Sequence, residues 1–236
     1  MIHIGDYWGR KYDYARYYLP FRIQTGIKYY NWRNCMEAIY ERMYEVDGFI
    51  PQRDSVVYDI GANVGDYSLI WAKVYGAQVL AFEPLLENSR ELLRNQLLNR
   101  DRRIRMITFG LSDVDQLERV GYDGNMLAID NTGAKKTEVS FVRLDTIVKR
   151  LNLPKPDIIK IDVEGYEMKV LKGAVATIEA HYPKIIIETH SSDLRKQVQE
   201  FLEHLDYDLA HVGRTVKGKG WMDEVTNLFF NSGVKK

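Results

Sequence analysis

A chain of 236 residues has room for one α/β domain with a sizeable core and a modest extension. Its 33 Lys plus Arg balance 33 Asp plus Glu, so the formal net charge is zero, and a general nucleic-acid binder with a basic excess is not the expected class. The one cysteine, Cys35, excludes an intramolecular disulfide, and no apolar run is long enough to span a bilayer.

The chain opens without a basic start followed by an apolar stretch, so no signal peptide is expected and the expected compartment is cytoplasmic. Residues 1–50 differ from the rest. They carry Tyr7, Tyr12, Tyr14, Tyr17, Tyr18, Tyr29, Tyr30, Tyr40 and Tyr44, and read as a helical N-terminal extension ahead of a main domain over 51–236. Met36, Ile39, Tyr40 and Met43 have helical spacing, which predicts a helix over 32–46, and Gly48 and Pro51 punctuate its end. The tyrosines fit a packed cap. The sharper alternative is an aromatic wall for an acceptor substrate, and the extension is also the candidate contact for a homodimer.

From Asp54 onward strands and helices alternate. Residues 55–60 form a short apolar run ending in a glycine turn, and 67–75 continue as a helix. Residues 78–82 are a second strand, 85–98 a second helix, and 104–109 a third strand. Between Asp113 and Thr137 the pattern breaks down. Gly121, Gly124, Asn125, Asn131 and Gly133 mark a loop or a short hairpin there. Residues 138–143 alternate like an exposed strand. Residues 157–162 are a buried strand, followed by a helix from 165 to about 181, a buried strand over 184–189 and a helix over 192–205. Residues 207–212 and 225–231 read as a closing pair of strands. Such alternation implies a parallel sheet covered on both faces. Ligands then bind beyond the carboxyl ends of the strands, which are residues 59–65, 82–84, 109–113, 162–165 and 188–190. All five ends carry polar groups or glycine.

The first strand ends in Asp59-Ile-Gly61-Ala-Asn63-Val-Gly65. Gly61 and Gly65 allow a tight turn and close ligand approach. A nicotinamide enzyme would place G-x-G-x-x-G here. This turn has Asn63 where the second glycine would stand. Asp59 would crowd a pyrophosphate but suits a ligand with an ammonium group, such as the methionine part of S-adenosylmethionine. Glu83 follows some twenty residues on, where a carboxylate accepts hydrogen bonds from ribose hydroxyls. Its alternative role is a carboxylate at a helix N-terminus. Pro84 starts the helix, where its missing N–H does no harm. Ser112 and Asp113, after the third strand, stand where adenine would be met, although both also form ordinary turns.

These residues resemble a known family. The runs Val57-Tyr-Asp-Ile-Gly-Ala-Asn-Val-Gly-Asp-Tyr-Ser68, Glu83-Pro84, Leu144-Asp-Thr-Ile147, Ile159-Lys-Ile-Asp162-Val-Glu164-Gly165-Tyr-Glu167 and Ile187-Glu-Thr-His190 are similar to those of the FkbM methyltransferases. The resemblance covers roughly residue 48 to the C-terminus. It implies an α/β class I methyltransferase (Rossmann-like) fold: a three-layer sandwich around a seven-stranded, mostly parallel sheet, closed by an antiparallel C-terminal hairpin. It also implies S-adenosylmethionine as cofactor and O-methylation, often of sugars or other hydroxylated metabolites. The first fifty residues share no pattern with the family.

On the acceptor side Asp162, Glu188 and His190 are expected at neighbouring strand ends, with Glu164 close by. Transfer from a sulfonium mainly requires alignment, and an alcohol acceptor also loses a proton to a base. His190, with an ordinary pKa near neutral, and Asp162 are the candidate bases; Asp162 also faces the cofactor. Glu164 has a capping alternative. Lys160 shares a face with Asp162 and is expected to pair with a carboxylate. Asp162, Glu188 and His190 have metal-ligand chemistry, but the resemblance requires no metal and none is assigned. The basic runs at 100–105 and 214–219 read as solvated turns. An RNA methyltransferase using those runs, and a degenerate domain acting as an interaction module, are the competing readings; a small-molecule or glycan acceptor is the expected partner.

Overall fold

The computed structural model describes residues 43–123, 126–128, 135–217 and 224–233. Most of the tyrosine-rich extension, most of the helix expected over 32–46 and the proposed dimer contact lie outside them. Residues 43–46, at the end of that expected helix, are turn and irregular chain.

The core starts from short runs that are apolar on both sides. Strand β1 (Val56–Ile60) pairs in parallel with β2 (Gln78–Phe82) and β8 (Ile158–Ile161); β2 pairs with β3 (Ile104–Ile107) and β8 with β9 (Lys184–Thr189). Strand β12 (Glu224–Ser232) enters antiparallel between β9 and β10 (Tyr207–Val212). The seven strands run in the order β10-β12-β9-β8-β1-β2-β3, and the short β11 (Val216–Lys217) pairs with β12. The closing antiparallel pair expected from the sequence is therefore present.

Period-two alternation divides each strand between two cores. Val57, Val79, Ile186 and Phe229 face one side, where α1 (Asp66–Lys73) and α2 (Leu86–Leu98) bring Leu69, Trp71 and Leu92. Tyr58, Leu80, Ile159, Ile187 and Phe230 face the other. That side is covered by α3 (Leu144–Leu151), α4 (Glu167–Lys172), α5 (Val175–His181) and α6 (Ser192–Glu203). Each large side chain buried this way contributes about 1.5–3 kcal/mol. Among the described residues no helix is long and apolar enough to cross a membrane.

Three expectations are corrected. The single helix over 165–181 is two, α4 and α5, separated at Gly173. A Cβ there would stand 2.0 Å from the Ser112 carbonyl oxygen and 3.4 Å from Arg143 Cα, so the backbone passes too close for a side chain. The stretch after Asp113, expected as a loop or a short hairpin, does hold a hairpin of β5 with β6, but as part of a second sheet in the order β4-β7-β5-β6: β4 (Gly110–Leu111), β5 (Gln116–Asp123), β6 (Met126–Ala128) and β7 (Lys135–Val142). Among the described residues its own core is Val120, Val139 and Phe141 against Tyr166 and Val163, while Leu117 is left exposed, so apolar alternation marks it weakly. Helix α3, finally, has no place in the strand-and-helix reading of the chain. Its Asp145 accepts hydrogen bonds from the Ala176 and Thr177 N–H groups at 3.0 and 2.7 Å, which caps α5 from a distance.

Candidate functional site

The turn after β1 is shaped by contact with the end of β8. Gly61 has φ +79°, and a Cβ on it would lie 1.8 Å from the Asp162 carbonyl oxygen. Only glycine meets both conditions. Asn63 is left-handed, at φ 51°, a conformation that asparagine tolerates better than most residues. Its N–H donates to Glu83 Oε2 at 2.9 Å. Gly65 follows as the N-cap of α1. The asparagine in place of a glycine is thus part of a bond between the first turn and the end of β2.

Glu83 is buried, and its Oε1 accepts from Leu85 N–H at 2.9 Å and Asn88 Nδ2 at 3.1 Å. Burial pushes its carboxyl up to about 7 even though these hydrogen bonds pull the other way. Three protein donors leave acceptor capacity for a ribose hydroxyl on Oε2, since each carboxylate oxygen has two lone pairs. Beside it, Gly61, Phe82, Pro84, Phe109, Val163 and Tyr166 line a cleft across the strand ends. The cleft is narrow and its walls are mostly apolar, so the chemistry of turn, carboxylate and cleft lining suits the nucleoside half of S-adenosylmethionine. Ser112 is buried and donates to Asp113 at 3.1 Å, and neither residue lines this cleft. Phe109 and Tyr166 do, and the sequence reading singled out neither.

The charged residues gather one strand further on. Register sets Asp59 beside Lys160, and alternation brings Asp162 to the same face. Lys160 Nζ donates to the Gly61 carbonyl at 2.9 Å and lies 3.2 Å from Asp59 Oδ1 and 3.5 Å from Asp162 Oδ2. This is the carboxylate pairing that a buried lysine needs. Burial lowers the lysine's proton affinity, but the two aspartates more than reverse this and hold it above its ordinary value. Asp59 also accepts from Ser68 Oγ at 2.5 Å. Both Asp59 oxygens therefore face partners inside the protein, where the sequence pointed this group at a ligand's ammonium.

His190 is buried among four carboxylates. Its Nδ1 lies 3.1 Å from Glu167 Oε1; its Nε2 lies 3.3 Å from Glu164 Oε2, 3.3 Å from Glu188 Oε1 and 4.0 Å from Asp162 Oδ1. Burial alone would depress the imidazole's pKa, but Glu167, Glu188 and Glu164 raise it to about 11. The near-neutral value that recommended His190 as a base does not hold in these surroundings. Burial lifts Glu164 to about 8 and, with the Asp162 charge, also lifts Glu188. Tyr44 reaches in from the N-terminal side. Its hydroxyl stands 3.0 Å from Asp162 Oδ2 and 2.9 Å from Glu188 Oε2, and its ring lies against Tyr67, 4.5 Å between centroids. Burial raises this phenol's pKa well above its ordinary value.

The structure therefore brings Asp162, Glu164, Glu188 and His190 together and adds Tyr44 and Glu167. Glu164 does not cap a helix: α4 begins at Glu167, and Glu164 turns to His190. The Asp162-Val-Glu164-Gly-Tyr-Glu167 run was a visible signal for Glu167. Tyr44 stood among too many tyrosines to be singled out.

A parallel sheet with one antiparallel strand before its edge, a glycine turn after β1 and an acid after β2 define a class I methyltransferase. The comparisons narrow this. The sequence profile of the methyltransferase FkbM domain matches residues 59–213, and the chain belongs to the FkbM methyltransferase family. A hexuronic acid methyltransferase of Haloferax volcanii is 29% identical over 158 residues; the match covers 64% of this chain and 62% of that relative's length. The methyltransferase sdnD of Sordaria araneosa is 27% identical, over 84% of this chain and 88% of its own. The crystal structure of a methyltransferase FkbM from Methylobacillus flagellatus superposes with a TM-score of 0.55 at 24% identity, over 80% of this chain and 47% of that one, and shares the fold.

Proposed function

We propose that the protein transfers a methyl group from S-adenosylmethionine to a hydroxyl of a sugar, glycan or related small molecule. The observation that carries this reading is the placing of the Gly61–Glu83 cradle one strand away from the Asp162–Glu188–His190 cluster, so that donor and acceptor would meet at adjacent strand ends. The relative named for hexuronic acid supports a sugar acceptor. When bound, S-adenosylmethionine supplies an electrophilic methyl on a sulfonium that leaves as a neutral thioether.

The chain's own part is alignment and proton removal. Glu83 holds the ribose through its remaining acceptor capacity, and the cleft beside Pro84 holds the base. Gly61 and Asn63 shape the turn, and Asp59 and Lys160 fix it to β8. Such positioning lowers a barrier by about 7–11 kcal/mol at best. Asp162 is the base: its side chain is 24% exposed, whereas both His190 ring nitrogens face carboxylates. The hydroxyl proton passes to Asp162 as the methyl–oxygen bond forms and the methyl–sulfur bond breaks. Glu188 and His190 hold the acceptor's surroundings and the direction of Asp162.

The RNA reading finds less support. Arg102, Arg103 and Arg105 are exposed, but they sit where β3 begins, at the opposite ends of the strands from the cluster. Calorimetry with S-adenosylmethionine separates the enzyme from a degenerate interaction module, with binding the expected result and no binding at millimolar ligand the result against it. Labelled cofactor with a panel of sugars and glycans then tests the acceptor class.

A further inference from the structure

We propose that Asp162, Glu188 and His190 form a site for one divalent cation of the Mg²⁺/Mn²⁺ class, which binds the acceptor oxygen beside the methyl donor. With the cation bound, Asp162 would serve as its ligand, and the hydroxyl proton would be lost to solvent at the acidity the metal confers rather than to Asp162. That role rests on the methyl transfer proposed above; the cation site itself does not.

One ligand atom from each of the three residues lies within 4.8 Å of the others. What makes them a site is how they are held. Tyr44 and Lys160 engage Asp162 Oδ2, and Tyr44 engages Glu188 Oε2. The remaining oxygens, Asp162 Oδ1 and Glu188 Oε1, turn toward His190 Nε2. Glu167, wholly buried, holds Nδ1 and so aims Nε2 back at them. A carboxylate behind an imidazole in this way is the usual support of a metal-bound histidine.

A separate observation points to the same place. Glu164 Oε2 is shielded from solvent and accepts no hydrogen bond, although the side chain is 26% exposed, and it faces His190 Nε2 at 3.3 Å as an ion pair. Three carboxylate oxygens thus converge on one ring nitrogen, donor atoms that one cation could share. Ligands at about 2.1 Å from a cation are about 3 to 4 Å from one another. The observed spacings of 3.3 and 4.0 Å fall in that range. One imidazole among hard oxygens favours Mn²⁺ or Mg²⁺ over thiolate-seeking metals. A cation here would also let the site accept a substrate carrying a carboxylate near its hydroxyl, which the bare carboxylate cluster would repel.

The test uses the whole chain, stripped with chelator, without S-adenosylmethionine. Titration with Mn²⁺ followed by electron paramagnetic resonance is expected to show one site, with Mg²⁺ competing. Electron spin-echo modulation on the wild-type complex is expected to show one imidazole nitrogen bound to Mn²⁺, and needs no variant. Glu188→Gln and the positioning variant Glu167→Gln should each weaken Mn²⁺ by about tenfold or more, while Glu83→Gln, in the cradle, should not. No binding at millimolar Mn²⁺, no nitrogen coupling, or equal affinity in wild type and Glu188→Gln would overturn the site. If Mn²⁺ fails while calorimetry shows S-adenosylmethionine binding, only this inference falls; if the cofactor fails to bind while Mn²⁺ binds, it is the proposed function that falls.

Discussion

The cradle at Gly61 and Glu83 and the cluster at Asp162, Glu188 and His190 lie side by side but are built in different ways. In the cradle, backbone N–H groups and an amide from nearby residues fill most of one carboxylate, and positive φ angles at Gly61 and Asn63 set the turn. In the cluster, charged side chains from the ends of β8 and β9 and the start of α4, joined by the neutral Tyr44 hydroxyl from the N-terminal segment, hold one another over long sequence separations. The first arrangement is rigid and locally encoded. The second depends on charge balance, so losing one member leaves another buried and unpaired. The two regions should therefore respond differently to substitution.

The largest effect is expected at Asp162. Asp162→Ala should lower methyl transfer by about 10²–10⁴-fold, the range for loss of a general base, and leave cofactor affinity largely intact. A labelled-methyl assay beside calorimetry reads both, and parallel loss of binding would move Asp162 into the cradle. Next comes Lys160→Met, which strands Asp59 without its buried cation. Urea unfolding should show a loss of about 3–5 kcal/mol; a change under 1 kcal/mol would mean that the aspartates manage without the lysine. Tyr44→Phe should cost about 1–3 kcal/mol, because Glu188 and Asp162 lose a buried donor. An unchanged urea midpoint would show that water replaces the hydroxyl.

The smallest effect probes the cradle through pH. Glu83 has a folded pKa of about 7 against an ordinary 4.5, so the folded chain holds more protons than the unfolded one between these values. Its contribution to stability is present below about pH 4.5 and is lost as pH rises through 7. Ribose binding needs the opposite form, the carboxylate. Cofactor affinity should therefore rise about tenfold from pH 6 to 8 if only ionised Glu83 binds. Glu83→Gln should flatten both slopes, and an unaltered pH profile in that variant would assign the titration to another group.

Much of this was legible in the chain. The apolar strands, the glycine turn, Glu83 and the Asp162-x-Glu164-Gly165 run stand in register with the fold because each is set by residues close in sequence. The second sheet was legible only as a loop or a short hairpin, since among the described residues its own core is small and leaves little periodic trace. The break at Gly173 was not legible, because the close approach of that glycine is to Ser112, far away in the chain.

The sequence alone determined the alternation of strands and helices, and with it the sheet and the row of strand ends where chemistry is placed. It also carried the turn from Asp59 to Gly65, whose glycines and asparagine permit the positive φ angles that the end of β8 then requires. Tertiary structure decided the electrostatics. It turned Asp59 toward Lys160, raised the pKa of His190 by surrounding it with carboxylates, and set Tyr44 between Asp162 and Glu188, 118 and 144 residues away. Backbone shape follows from local steric rules, whereas a buried charge takes its properties from whatever the fold packs against it.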